Sequence, residues 1–125
     1  MFEILKDKRG SLLPIEFNTL PFSPVRVFSV FDVPQNTIRG NHAHFKTVQL
    51  LICLKGIVDV GLDDGTEEVV HRLSPGMSIL IDKMTWDWQK FITGSDEILV
   101  FCSTPYDKFD YINDKKIFYD FVKSK

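Results

Sequence analysis

Short apolar, β-branched and aromatic runs, broken at turn residues, fill most of the chain. Val25 to Val33 (VRVFSVFDV) ends before Pro34 and predicts a strand. Val48 to Leu54 is apolar almost without interruption and closes at Lys55-Gly56, the pattern of a strand buried on both faces. Ile57 to Leu62 alternates loosely, meets Asp63-Asp64-Gly65-Thr66, and the pattern resumes from Thr66 to Leu73 with Val69 and Val70. Asp-Gly between two such runs predicts a hairpin, because the turn needs positive φ that these residues tolerate. Ser74-Pro75-Gly76 makes a further turn before Met77 to Ile81, and Phe91-Ile92 and Ile98 to Cys102 flank Thr93-Gly94-Ser95-Asp96. Short strands separated by tight turns predict an all-β sandwich or barrel. Near the end the period changes. Asn113-Asp114 offers a cap, and Ile117, Phe118, Phe121 and Val122 fall at helical spacing, with Lys115, Lys116 and Lys123 around the other face. A short C-terminal helix on the barrel is expected.

Length and charge narrow the class. The 125 residues suit one domain, 1–125, with a real core. Lys+Arg 15 against Asp+Glu 17 gives a net charge of −2 and a pI near 5.9, without the basic excess of a nucleic-acid or membrane-surface binder. An apolar share of 44% argues against disorder. No apolar stretch approaches the ~20 residues that span a bilayer, and Met1 to Gly10 lacks the apolar block of a signal peptide. Cys53 and Cys102 lie inside apolar runs, as buried thiols of a reducing compartment do. A cytoplasmic protein with neither nucleic-acid nor membrane partner is expected.

The segment richest in chemistry is Arg39-Gly40-Asn41-His42-Ala43-His44, between two predicted strands. In extended chain, side chains alternate faces, so His42 and His44 point one way and the small Ala43 the other. Two imidazoles on one face are either metal ligands or an acid/base pair; with unperturbed pKa values near ~6.5, each can give or take a proton at neutral pH. The plainer alternative is two polar residues on an exposed strand. Trp86 and Trp88 alternate likewise, as core residues or as a platform for a stacked base.

HxH followed by Gly56 resembles the first cupin motif, which implies a jelly-roll barrel that usually holds a metal through two His, a Glu and a later His. Here the Glu position is Gln49, and Thr85-Trp86-Asp87-Trp88 holds no later histidine. An amide is a poor transition-metal ligand, so no metal and no other cofactor is expected. A cupin lacking those ligands but carrying RGxHAH is similar, over nearly the whole chain, to the dTDP-4-keto-6-deoxyglucose 3,4-ketoisomerases (WxcM-like sugar isomerases, RmlC-like cupins). The resemblance runs from Asp7-Lys8-Arg9-Gly10-Ser11-Leu12 through Asp32-Val33-Pro34, Arg39 to His44, Gln49 and Leu62-Asp63-Asp64-Gly65. It continues through Ile81-Asp82-Lys83-Met84-Thr85-Trp86 to Ser103-Thr104-Pro105-Tyr106-Asp107-Lys108-Phe109-Asp110-Tyr111-Ile112.

The resemblance implies a metal-independent isomerase acting on a dTDP-linked keto-deoxysugar in deoxysugar biosynthesis. The keto group moves from C4 to C3 through an enediol, with His42 and His44 as the acid/base pair and His44 the favoured base. Arg9, Arg26 and Arg39 are candidates for the diphosphate or sugar, where a guanidinium makes paired hydrogen bonds, and Gln49, Lys83 and Trp86 are further substrate-binding candidates. The family also implies a homodimer with exchanged strands. Two departures stand out. Phe28-Ser29-Val30-Phe31 lacks the tyrosine that members often carry before Asp-Val-Pro, and Asp87 replaces a histidine; Ser29, Asp87, Tyr106 or Tyr111 are possible substitutes. A non-catalytic cupin that binds a sugar nucleotide or a partner enzyme, and a metal-dependent cupin, are the competing readings.

Overall fold

In a computed structural model describing residues 2–124, the apolar runs become strands β1 (Leu5–Asp7), β2 (Gly10–Leu12), β3 (Arg26–Val30), β4 (Thr37–His44), β5 (Gln49–Lys55) and β6 (Val58–Asp63). They continue as β7 (Glu68–Leu73), β8 (Ser78–Ile81), β9 (Trp86–Phe91), β10 (Glu97–Cys102) and β11 (Tyr111–Ile112), followed by helix α1 (Lys115–Lys123). Two antiparallel sheets, ordered β3-β10-β5-β8 and β11-β4-β9-β6-β7, face each other as the expected cupin jelly-roll barrel. β1 and β2 form a separate two-stranded ribbon.

Between the sheets lies a core that includes Leu51, Cys53, Val58, Val60, Phe91, Ile98 and Val100, all nearly inaccessible. β5 is buried on both faces along most of its length, as its apolar run predicts. Cys53 and Cys102 are buried free thiols, and burial raises the Cys53 thiol to about 11, far from a reactive thiolate. The tight turns are held by side chains. Asp96 accepts hydrogen bonds from the backbone N–H groups of Ile57, Thr93 and Gly94 and from the Thr93 hydroxyl, locking two neighbouring connections together. On the outer face of the second sheet Gly61 has no side chain because the Trp88 ring occupies the place a Cβ would take.

Three local differences from the sequence pattern have physical causes. The run from Val25 to Val33 is a strand only over Arg26–Val30, since Asp32 turns the chain with φ +57° ahead of Pro34. The extended Arg39–His44 segment, placed between two apolar runs, is itself the last six of the eight residues of β4. α1 starts where expected, with the Asp114 carboxylate accepting the Ile117 N–H at 3.1 Å. Its packed face is rotated from the one the spacing suggests. Phe118, Tyr119 and Val122 cover Ala43, Trp86 and Ile112, while Ile117 and Phe121 stay partly exposed. Among the described residues no helix is long and apolar enough to cross a membrane.

Phe118 is fully buried and joins the helix to the sheet that carries the histidines. Phe118→Ala is expected to lower unfolding free energy by about 3–5 kcal/mol, read as a shifted urea midpoint; a loss under ~1 kcal/mol would show the helix is not integral to the barrel.

Candidate active site

A regular strand would place residues three apart on opposite faces. β4 breaks that rule at a bulge opposite β9, where pairing passes from Gly40↔Trp88 to His42↔Asp87 and leaves Asn41 unmatched. Gly40 (φ +89°) and Asn41 (φ +60°) adopt the left-handed conformations this requires, residues that do so at low steric cost. Arg39 and His42 therefore both face the space between the sheets, and Gly40 lines it too. Past the bulge, alternation resumes. Ala43 turns outward under α1, and His44 turns back in.

The cavity is about 90 Å³. One wall is apolar, from Phe28 and Val30 on β3, Leu51 on β5, and Ile98 and Val100 on β10. The facing wall is polar, from Arg39 and His42 on β4, Asp87 and Gln89 on β9, and Tyr111 on β11. Tyr111 pairs with His44 in the ladder, so the two rings sit side by side with centroids 4.5 Å apart. His42 lies 5.0 Å from the His44 ring and 5.2 Å from that of Tyr111, completing a three-ring cluster. The short β11 is held in place by the buried Asp110. Its carboxylate accepts the Lys46 and Thr47 N–H groups and the Thr47 hydroxyl, and its backbone carbonyl accepts the Phe45 N–H.

Burial sets the protonation. It pushes the His44 imidazole down to about 4, helped by its neighbours His42 and Arg26 and opposed by Asp110, and it lowers His42 as well. Both are neutral bases at pH 7. Burial acts in the opposite sense on Asp87, raising its carboxyl to about 7 against the pull of the Gln89 amide, which donates to Oδ1 at 2.6 Å. His42 Nε2 lies 4.0 Å from that same oxygen. His44 Nε2 and Asp87 Oδ2 are buried without a protein hydrogen-bond partner.

The sequence-derived site residues divide into two groups. His42, Arg39 and Gln49 line the cavity, Gln49 with its amide directed at Cys102 Sγ, 3.5 Å away, and His44 packs directly behind the His42 and Tyr111 rings. Arg26 stands beside it, its guanidinium against the rings of Phe28 (5.9 Å) and Tyr106 (5.7 Å) and its Nε buried without a partner. Arg9, Lys83 and Trp86 do not line this cavity. Arg9 lies in the β1–β2 turn, bonded through two guanidinium nitrogens to Asp7 and largely in solvent. Lys83 is exposed in the turn after β8, its N–H donating to Asp82. Trp86 falls on the helix-covered face of β9, because alternation that turns Asp87 and Gln89 inward must turn Trp86 and Trp88 outward. Gln89 was not foreseen, although its signal was present: it is two residues from Asp87 on the same strand.

His42, His44 and Asp87 offer ligand atoms within 4.8 Å of one another, the donor types of a two-histidine, one-carboxylate metal site. Donors bound to one ion at about 2.0–2.2 Å sit about 3–3.5 Å apart, closer than the 4.0 Å between His42 and Asp87. The fourth wall is an amide aimed at a thiol. As arranged, the cluster fits proton transfer better than a metal ion.

A two-sheet antiparallel barrel whose cavity carries a histidine pair from an inner strand defines a cupin-type barrel equipped for acid/base chemistry. Over residues 1–123 the chain matches the family described as FdtA: WxcM-like, C-terminal, and it belongs to that family. It is 36% identical over 115 residues to the TDP-4-oxo-6-deoxy-alpha-D-glucose-3,4-oxoisomerase of Aneurinibacillus thermoaerophilus, covering 89% of this chain and 81% of the relative. The sugar 3,4-ketoisomerase QdtA of Thermoanaerobacterium thermosaccharolyticum, solved with TDP, superposes with a TM-score of 0.89 at 34% identity, covering 98% and 91% of the two chains. A variant of that enzyme with one histidine replaced by asparagine, solved with TDP-4-keto-6-deoxyglucose, gives a TM-score of 0.89 at 33% identity over 99% and 91%.

A Cβ at Gly40 would lie 3.2 Å from the Asp87 carbonyl and from the Gln89 side chain, on a backbone with φ +89°. Gly40→Ala is expected to cost about 1–3 kcal/mol and to let the His42 pKa rise toward its ordinary range as the ring loses its buried seat. An unchanged Tm together with an unchanged NMR titration of His42 would show that the bulge is not what seats it.

Proposed function

We propose that this protein is a dTDP-sugar 3,4-ketoisomerase that moves the keto group of dTDP-4-keto-6-deoxyglucose from C4 to C3 in deoxysugar biosynthesis. The observation that carries the reading is the pair of buried, neutral imidazoles packed together with Tyr111, His42 lining the cavity and His44 next to it. Family membership and the named activities of the relatives support the substrate class.

The reaction is a tautomerisation in two balanced halves. His44 removes the proton on C3; the C3=C4 double bond forms, and the carbonyl electrons go to O4, which is protonated to give the enediol. The O3 proton then leaves, the C3 carbonyl forms, and C4 receives a proton. Two protons are taken and two returned, so neither net oxidation nor a nucleophile is involved. Arg39 supports the developing negative charge at the sugar oxygens, Gln49 binds the sugar edge, and Arg26 at the cavity's side meets the diphosphate. The apolar wall excludes water from the enediol.

A homodimer is part of this proposal. The N-terminal third leaves Leu5, Leu12, Phe17, Val25, Val27 and Phe31 about half exposed or more, around a ribbon that joins neither main sheet. Such a surface suits a second copy with exchanged strands. One domain over 1–125 and a cytoplasmic setting, consistent with two unpaired thiols, complete the picture. A binding-only barrel is less well supported, because both histidines are present and seated together.

Turnover of dTDP-4-keto-6-deoxyglucose in D₂O is expected to give a 3-keto product labelled at C4; unlabelled substrate recovered after long incubation would refute the assignment. Separate His42→Ala and His44→Ala variants are expected to lose about 10²–10⁴-fold in kcat, and wild-type rates in both would remove the acid/base pair. A base must be unprotonated, and the depressed His44 value keeps it so at low pH. Hence the acid limb of kcat/KM should be absent down to roughly pH 5 and appear only toward 4; an acid limb centred near 6.5 would mean that the base is an ordinary exposed histidine.

A further inference from the structure

The mechanism above has two bases and no assigned acid. We propose that Asp87, as a neutral carboxylic acid, is the second proton carrier of this site, giving the proton on Oδ2 to O4 of the sugar as His44 takes the C3 proton, and recovering one from O3 as the new carbonyl forms. This rests on the ketoisomerase reading and deepens it. In the first half the Asp87 O–H bond breaks and the O4–H bond forms; in the second the O3–H bond breaks and Asp87 regains its proton. His44, protonated in the first half and exchanging with solvent between the halves, returns a proton to C4. Atoms and electrons balance without any co-reactant.

Three features of the geometry carry the inference. Asp87 lines the cavity from β9 directly opposite His42 in the ladder, so it faces the same space as the base pair. It is wholly inaccessible to solvent, and it is the only carboxylic acid lining the cavity among the described residues. Its two oxygens are also distinct. Oδ1 is occupied by the Gln89 amide at 2.6 Å, whereas Oδ2 is buried without a partner. A neutral acid can keep its proton on the free oxygen and accept at the other, and the heavy-atom arrangement fits that state. An ionised carboxylate with one oxygen unpaired in this setting would be strongly disfavoured.

The groups facing Asp87 agree with that state. β4 brings His42 and Arg39 with His44 close by, β11 brings Tyr111, and β3 brings Arg26 to the edge of the cavity, while β5 contributes the Gln49 amide and Leu51 and β10 only apolar side chains. Among the described residues no Lys or Arg forms an ion pair with Asp87, and His42, 4.0 Å away, is itself held neutral by burial. Burial raises the Asp87 carboxyl to about 7, so a proton is available at neutral pH and can be both given and recovered. The buried histidines, depressed below their ordinary value, are poor acids at that pH. One wall thus holds bases that are unprotonated at neutral pH beside a carboxyl that still carries a proton in a large share of molecules.

The test uses dTDP-4-keto-6-deoxyglucose turnover with wild type, Asp87→Asn and Asp87→Glu, and TDP affinity by calorimetry. Wild-type kcat should fall as pH rises through about 7, as the acid loses its proton. Asp87→Asn should lose at least about 100-fold in kcat, with TDP affinity within about threefold, and its residual rate should lack that alkaline limb; Asp87→Glu should restore part of the rate and the limb. A wild-type rate that holds level well above pH 7, or an Asp87→Asn enzyme within tenfold of wild type that keeps the limb, would overturn the role. If Asp87→Asn does not fold, the wild-type profile and Asp87→Glu decide the matter alone. A wild type inactive on this substrate would instead defeat the ketoisomerase reading, so the two failures are distinguishable.

Discussion

The chemistry of this barrel depends on one extra residue in one strand. Without the bulge at Gly40-Asn41, alternation would put Arg39 and His42 on opposite faces, and either the cation or the base would point away from the cavity. With it, an arginine and two histidines from a single strand converge, and His42 comes to stand across from Asp87. Two left-handed residues in succession are a modest conformational demand, met by the two residue types that bear it most easily. β9 contributes the other half of the arrangement by supplying its inward residues, Asp87 and Gln89, at the height the bulge selects.

Burial then does what no pair of charges does here. The same low-dielectric space moves two imidazoles and one carboxyl in opposite directions, because in each case it disfavours the charged form. The result is a nearly uncharged cluster between the sheets, ready to exchange protons with a neutral sugar. Positive charge is kept to the sides, on Arg39 and Arg26, where an anionic nucleotide can meet it. The mildly acidic overall balance of the protein says little about this local arrangement.

Much of this was legible in the chain. Turn residues and apolar runs located β5, β6, the Asp-Gly hairpin and the helix start, and the HxH spacing brought two histidines together. Period-two alternation also held the answer for Trp86, since whichever face takes Asp87 denies the cavity to the tryptophan. What was not legible depends on contacts distant in sequence. Tyr111 reaches the histidines only because Asp110, more than sixty residues from Lys46 and Thr47, clamps the late segment onto the early one. Arg9 falls in a hairpin ribbon whose place no local pattern sets. The bulge itself hides in Gly-Asn, two residues that equally announce an ordinary turn.

β4 also has two sides that cannot change independently. Ala43, between the two histidines, is fully enclosed beneath Trp86, Ile112 and Phe118. A larger side chain there has no room unless the helix retreats, and any tilt of the strand that made room would swing His42 and His44 together. Substitutions acceptable at Ala43 thus depend on what stands at Phe118, a residue on the far side of the sheet from the reaction. Lineages of this barrel are expected to drift in helix and strand as correlated pairs, so the helix acts as a historical constraint on a site it never touches.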